Sequence, residues 1–285
     1  MKIDQISALT GRSAGLLTKM LEIAPLFQYA EFRKDYSSAR NVPDKTTFSG
    51  SAARAENAAL TKDAQTPTTS TVNLALYGRE IAIDDVRKLD TEISGSPVGL
   101  QKFADRQLSA LAVKLAQEVQ NHMLVGTAAS NEMLGISNFV KDAASGGQTA
   151  ALGFTAAEQA AMNSQVSLQL NTTANQDSFI ETLMKRVAAV PGANAIVCNI
   201  NLAARLTTIA KRLGAAGETL NSFGTRVNTF NGIPIIAVDT NTITQTESDG
   251  TNSDCTSLFV VRFAEELGVA FGTNTGFYYQ DFPQE

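Results

Sequence analysis

Apolar residues recur at three- and four-residue spacing from about Pro97 to Val125, at Leu100, Phe103, Ala104, Leu108, Leu111, Ala112, Leu115 and Val119, with His122 near the end. Ser96-Pro97 supplies a cap followed by a first-turn proline, and Gly126 a stop. The predicted helix is roughly 40 Å long, more strut than ordinary globular helix. A shorter amphipathic helix is predicted after Ser13, with Leu16, Leu17, Met20, Leu21 and Phe27 as its stripe and Pro25 interrupting it. Ser37 to Thr71 is polar, punctuated by Asn41, Pro43, Asp44, Gly50 and Pro67, and poor in large apolar side chains. So long a stretch without its own core is expected either to be disordered or to project as an arm completed elsewhere.

Thr71–Val86 then alternates: Val72, Leu74 and Leu76, then Ile81 and Ile83, stand between small or polar neighbours. Period two predicts an extended strand, kinked at Gly78, able to pair with part of the preceding polar stretch as a long two-stranded arm. Lys141–Ala151 reads as a loop and Ser178–Val190 as an amphipathic helix stopped by Pro191-Gly192. Ala195–Cys198 reads as a buried strand, followed by an Asn199-capped helix over Leu202–Leu213. Gly232–Asp239 and Leu258–Phe263 read as strands, Thr240–Thr256 as a polar loop, and Gly268–Phe282 as weakly alternating strands. Helices and strands mix without a regular βαβ repeat, so the expected class is α+β.

Composition narrows the chemistry. The 285 residues hold one histidine and two cysteines, Cys198 and Cys255, at no metal-ligand spacing. That excludes sites built on several imidazoles and any disulfide scaffold, and favours a reducing compartment. No Walker A, GxGxxG or GxSxG pattern is present, and His122 reads as structural. Asp84-Asp85, adjacent on a strand, point to opposite faces and do not form an acid pair. Asp249, Asn252 and Asp254 have oxygen ligands but not calcium-loop spacing. Lys45 and Lys62 read as solvated lysines. We expect no enzyme activity, no cofactor, no metal and no small-molecule substrate. The N-terminus has no signal-peptide run, and no apolar run is long enough to span a membrane. The net charge is −5, but residues 1–62 carry nine Lys/Arg against six Asp/Glu, a mildly basic segment suited to a polyanion or an acidic neighbour.

The order of these pieces carries a resemblance. A polar hairpin leads into LYGREIAIDDVRKLD, with Arg79-Glu80 and Asp84-Asp85; the long helix follows, with Glu118, Gly126 and Gly135-Ile136. Further on come NGIPIIAVDTN (Asn231 to Asn241) and SLFVVRFAEELGVAFG. This resembles the major capsid proteins of tailed bacteriophages with the HK97-type fold, and the related encapsulin shells, over most of residues 40–285. The resemblance implies an N-terminal arm over 1–40, an extended loop over 41–85, and a peripheral domain over 86–174 with a spine helix at about 97–125. It also implies an axial domain over 175–255 and returning strands over 256–285.

The implied function is a structural shell subunit that assembles through pentamers and hexamers into an icosahedral phage head around double-stranded DNA. The location would be the virion capsid, assembled in the bacterial host cytoplasm. Implied partners are copies of the chain itself, a scaffolding protein, a portal and packaged DNA touched without sequence preference; no membrane is implied. No long region precedes the arm, so a scaffold would be a separate protein or a segment already removed. No covalent cross-link is expected. Leu74, Leu76, Ile81 and Ile83 are the candidate apolar assembly contacts, and Arg54, Arg79, Glu80, Asp84, Asp85 and Arg87 the candidate charged ones. An encapsulin-type nanocompartment shell, and more distantly an α+β enzyme or ligand-binding protein, are the alternatives.

Overall fold

A computed structural model describes residues 12–34, 39–44, 56, 68–80, 97–127, 131–140, 169–221, 224–247, 254–265 and 268–273. The class is α+β. Helix α1 (Arg12–Ile23) is followed by α2 (Leu26–Tyr29) and strand β1 (Glu31–Lys34). Strands β2 (Ala39–Asp44) and β3 (Thr68–Asn73) precede the long α3 (Pro97–Val125) and the short α4 (Ile136–Val140). Then come α5 (Thr173–Ala189), β4 (Ala195–Asn199), α6 (Ile200–Arg212), β5 (Ala216–Leu220), β6 (Arg226–Phe230), β7 (Ile233–Val238), β8 (Leu258–Val261) and β9 (Ala270–Thr273).

The centre is a five-stranded sheet in the order β5-β6-β7-β4-β8, with β4 parallel to β7 and antiparallel to β8. Strand β4 is buried along its whole length, which is why Ala195–Asn199 reads as a continuous apolar run rather than an alternation. Successive residues nevertheless serve different cores. Ala195 and Val197 join Ile236, Val238, Val261 and Phe263 in a cluster with α1, α2 and α3. Ile196 and Cys198 join Ile235, Phe230 and the inner faces of α5 and α6 on the other side. Burial pushes the Cys198 thiol up to about 12, so at neutral pH it is a packed apolar group and not a thiolate. Asn199 caps α6: its side chain accepts from Leu202 N at 2.8 Å and donates to Thr256 Oγ1 at 2.7 Å. Asn231 and Gly232, with φ of 49° and 82°, make the two-residue turn between β6 and β7.

The segment expected as an N-terminal arm is, over residues 20–32, part of the first core. Met20, Leu21, Ala24, Leu26, Phe27, Ala30 and Phe32 are buried against α3. Lys19 Nζ donates to Ser109 Oγ at 2.9 Å, and Leu26 N donates to Gln120 Oε1 of α3 at 3.1 Å. Pro25 does break the helix, so Phe27 sits on α2 rather than on the stripe of α1, and Ser13 lies inside α1 rather than capping it.

Other differences have local causes. Helix α5 begins at Thr173, earlier than its apolar periodicity, because Thr172 caps it by accepting from Asn175 N. Strands β1, β5 and β6 were not expected: EFRK, AGETL and RVNTF carry too few apolar side chains to alternate legibly. Residues 240–256 are more than a polar loop. Thr242 and Ile243 are buried, and Glu247 and Cys255 form a β-bridge. The loop expected over 141–151 lies outside the described residues.

Candidate assembly site

The polar stretch and the start of the alternating segment pair as predicted in kind. Strands β2 and β3 form an antiparallel ribbon, from Ala39 opposite Asn73 to Asp44 opposite Thr68. Among the described residues the ribbon joins no other sheet. The strand expected over 71–86 ends at Asn73, where its partner β2 begins, and residues 74–80 have no strand pairing. They are held by side chains on α3 instead.

Tyr77 accepts from the Met133 amide at 3.0 Å and shares a 3.0 Å hydrogen bond with His122 Nδ1. On the other side of the ring, His122 Nε2 lies 3.6 Å from Glu132 Oε1. Glu132 also accepts from the Thr127 amide and hydroxyl at 3.2 and 3.3 Å. Two residues further along the segment, Arg79 Nε donates to Glu118 Oε2 at 3.1 Å, and its Nη2 bonds the same oxygen. Glu118 and His122 lie one turn apart on α3, about 6 Å, and two residues of extended chain span about 6.6 Å. The segment therefore runs antiparallel to the helix, and Tyr77 and Arg79 point at it. Leu76, Gly78 and Glu80 are exposed on the other side, Leu76 at 88%.

Beneath this contact the end of α3 is locked to the turn that follows. Gly135 N donates to Gly126 O at 2.8 Å, Thr127 and Leu134 form a bridge, and Asn138 Nδ2 donates to the carbonyls of Val125 and Gly126. Those carbonyls lack partners within the helix, so the amide of Asn138 completes its C-terminus.

Of the candidate contacts, Leu74 is half-buried, Leu76 and Glu80 are exposed, and Arg79 is engaged within its own chain. Arg54, Ile81, Ile83, Asp84, Asp85 and Arg87 lie outside the described residues, as do Lys45, Lys62, Asp249 and Asn252. Asp254 is exposed. Tyr77, Glu132 and Asn138 were not singled out from the sequence. The signal available was the position of Tyr77, out of phase with Leu74 and Leu76.

The Arg79 guanidinium holds the Glu118 carboxyl below its usual 4.5, mainly through their hydrogen bond. A depressed carboxylate contributes stability above its unfolded pKa and loses it as pH falls through the folded value. Arg79→Ala is accordingly expected to cost about 0.5 kcal/mol at pH 7, since both side chains are partly solvated. In urea melts across pH, the gap between wild type and variant stays constant above about pH 5.5 and closes towards pH 3. A gap unchanged at pH 3 excludes the ion pair as its source.

A cleft of about 290 Å³ lies between α6 and the sheet, lined by Ile200, Ala203, Ala204 and Thr207 with Asn228, Ile235 and Ala237. Its polar groups are one hydroxyl and one amide; its lining holds no acid, base or thiol. No helix among the described residues is long and apolar enough to cross a membrane, and none of their acidic, histidine and cysteine side chains gather in a metal-binding group of three or more.

No family model matches the chain, and no curated protein matches it. Among solved structures it is similar to the capsid of an empty GTA particle computed with C5 symmetry, at 18% identity and a TM-score of 0.42, over 75% of this chain and 67% of that one. It is similar also to the capsid of the native GTA particle, at 16% identity and a TM-score of 0.43, over 81% of this chain and 69% of that one.

Proposed function

We propose that the chain is the structural subunit of a phage-type protein shell, with the HK97-type arrangement that its sequence order resembles. In this reading copies associate as pentamers and hexamers into an icosahedral head around double-stranded DNA. Residues 41–85 form the extended loop, α3 is the spine helix of the peripheral domain, and 175–255 form the axial domain. A scaffolding protein and a portal are its further partners, and the shell is built in a bacterial host cytoplasm.

The observation that carries the reading is the β2–β3 ribbon followed by a fully exposed Leu76. An isolated two-stranded ribbon is marginal in water, and ordering it costs conformational entropy that a neighbouring surface must offset. A chain acting alone gains little from such a ribbon and an exposed leucine beside it, whereas a shell subunit uses them to reach the next copy. The anchoring of Tyr77 and Arg79 on α3 supports the same reading, because it ties the segment that follows the ribbon to the longest helix.

Negative-stain electron microscopy with light scattering, on the purified chain over a range of concentrations and with a crowding agent, tests it. Closed particles tens of nanometres across are expected. A chain that stays monomeric throughout, and resists proteolysis across residues 41–71 as a monomer, overturns it.

A further inference from the structure

The exposed edge of residues 76–80 and the cleft on α6 have matching chemistry. Tyr77 and Arg79 face α3, so Leu76 and Glu80 stand outward, four residues apart with only Gly78 between them, about 13 Å in extended chain. The cleft is apolar along the exposed Ala204 and the half-exposed Ile200, with the buried Ala203 and Ile235 at its floor. On the helix face that lines it, the next position after Thr207 is Lys211, exposed and without an ion pair among the described residues. From Ala203 to Lys211 is eight residues of helix, about 12 Å. Glu80 likewise has no ion pair among the described residues.

An apolar knob and an acid thus repeat the spacing of an apolar hollow and a base. The anchors on α3 fix the knob in place before any contact forms, so little further entropy is lost on docking. We propose that Leu76 and Glu80 of one copy dock in the α6–β7 cleft of a second copy, Leu76 over Ala203, Ala204 and Ile235 and Glu80 against Lys211. The two surfaces differ, so the contact is heterologous: each copy uses its knob on one neighbour and its cleft on another. Such contacts form rings where the rotation between copies closes, as a pentamer or hexamer requires. The proposal rests on the shell reading and assigns it one intersubunit contact.

The test mixes two full-length chains, both carrying Cys255→Ser. One also carries Gly78→Cys, where a Cβ meets nothing within 4 Å, the other Thr207→Cys with a size tag, and a short bis-maleimide joins them. Particle formation is followed in the same sample. The expected result is a cross-linked pair of unequal chains that appears with the particles. Glu80→Lys and Lys211→Glu should each raise the concentration for half-assembly about fivefold, and the double reversal should restore it. Leu76→Ala should raise it about 30-fold without altering the urea midpoint of the monomer, since the side chain is exposed there. Particles that form with no unequal pair, with Gly78→Cys chains joined to each other, or with no rescue in the double reversal overturn this contact and leave the shell reading standing. A wild type that stays monomeric under every condition and resists proteolysis across residues 41–71 overturns both.

Discussion

Gly135→Ala is expected to destabilise the fold by about 3 kcal/mol, and Gly126→Ala by a similar amount. A Cβ at Gly135 would lie 2.5 Å from Gly126 N and 2.7 Å from Leu124 C and Val125 N. At Gly126 it would meet the carbonyl oxygens of Met133 and, at 2.6 Å, His122. All of these are backbone atoms, so no side chain can rotate to make room. The end of α3 would have to part from the 131–138 turn, breaking the bond from Gly135 N to Gly126 O and withdrawing the Asn138 cap. Urea melts followed by circular dichroism measure this as a fall in midpoint at constant slope. Because either methyl opens the same gap, the double variant should cost clearly less than the two single costs added. Gly15→Ala, on α1 where a Cβ meets nothing within 4 Å, is the control and should be neutral or slightly stabilising. Equal effects at all three positions would rule out close backbone approach as the cause.

Phe27→Ala should cost about 4 kcal/mol. The ring is 1% exposed and packs on Phe32, with centroids 6.2 Å apart, inside the cluster shared by α1, α3 and the inner face of the sheet. Its removal leaves a cavity bounded by three separate elements, which cannot collapse together. The same urea melts read it. A loss under 1 kcal/mol would mean that residues 20–32 are a peripheral arm and not part of the first core.

What could be read without coordinates follows from how each element is buried. Helix α3 was bounded at Val125 by its stripe and Gly126, and β4, β7 and the Asn199 cap by their runs of Ile, Val and Ala and the polar stop beside them. Strand β1 was not legible, because only Phe32 of EFRK enters the core and its neighbours are charged. Edge strand β5 was hidden for a related reason: four of its five residues are exposed, so no alternation marks it. At the candidate site, the choice of Leu74 and Leu76 came from alternation and that of Arg79 and Glu80 from the resemblance, while the strand assignment over 74–80 was mistaken. Alternation reports which residues point the same way. It does not distinguish pairing with a strand from lying along a helix, and Tyr77 and Arg79 do the latter. Their partners, His122, Glu132 and Glu118, are distant in sequence, and no local spacing points to them.

The parallel pairing of β1 with β9, Glu31 opposite Ala270 and Lys34 opposite Thr273, bears on when the subunit becomes whole. Roughly 240 residues separate the paired strands, and closing so long a loop comes late in folding. During synthesis β1 leaves the ribosome early and waits for β9, while Phe32 has Phe27 beside it but lacks Phe271, on which it packs at 5.8 Å. At about 5–20 residues per second, that interval lasts on the order of 10 to 50 seconds. A nascent chain in this period has an incomplete first core under α3. That core is thereby completed only at the end of translation.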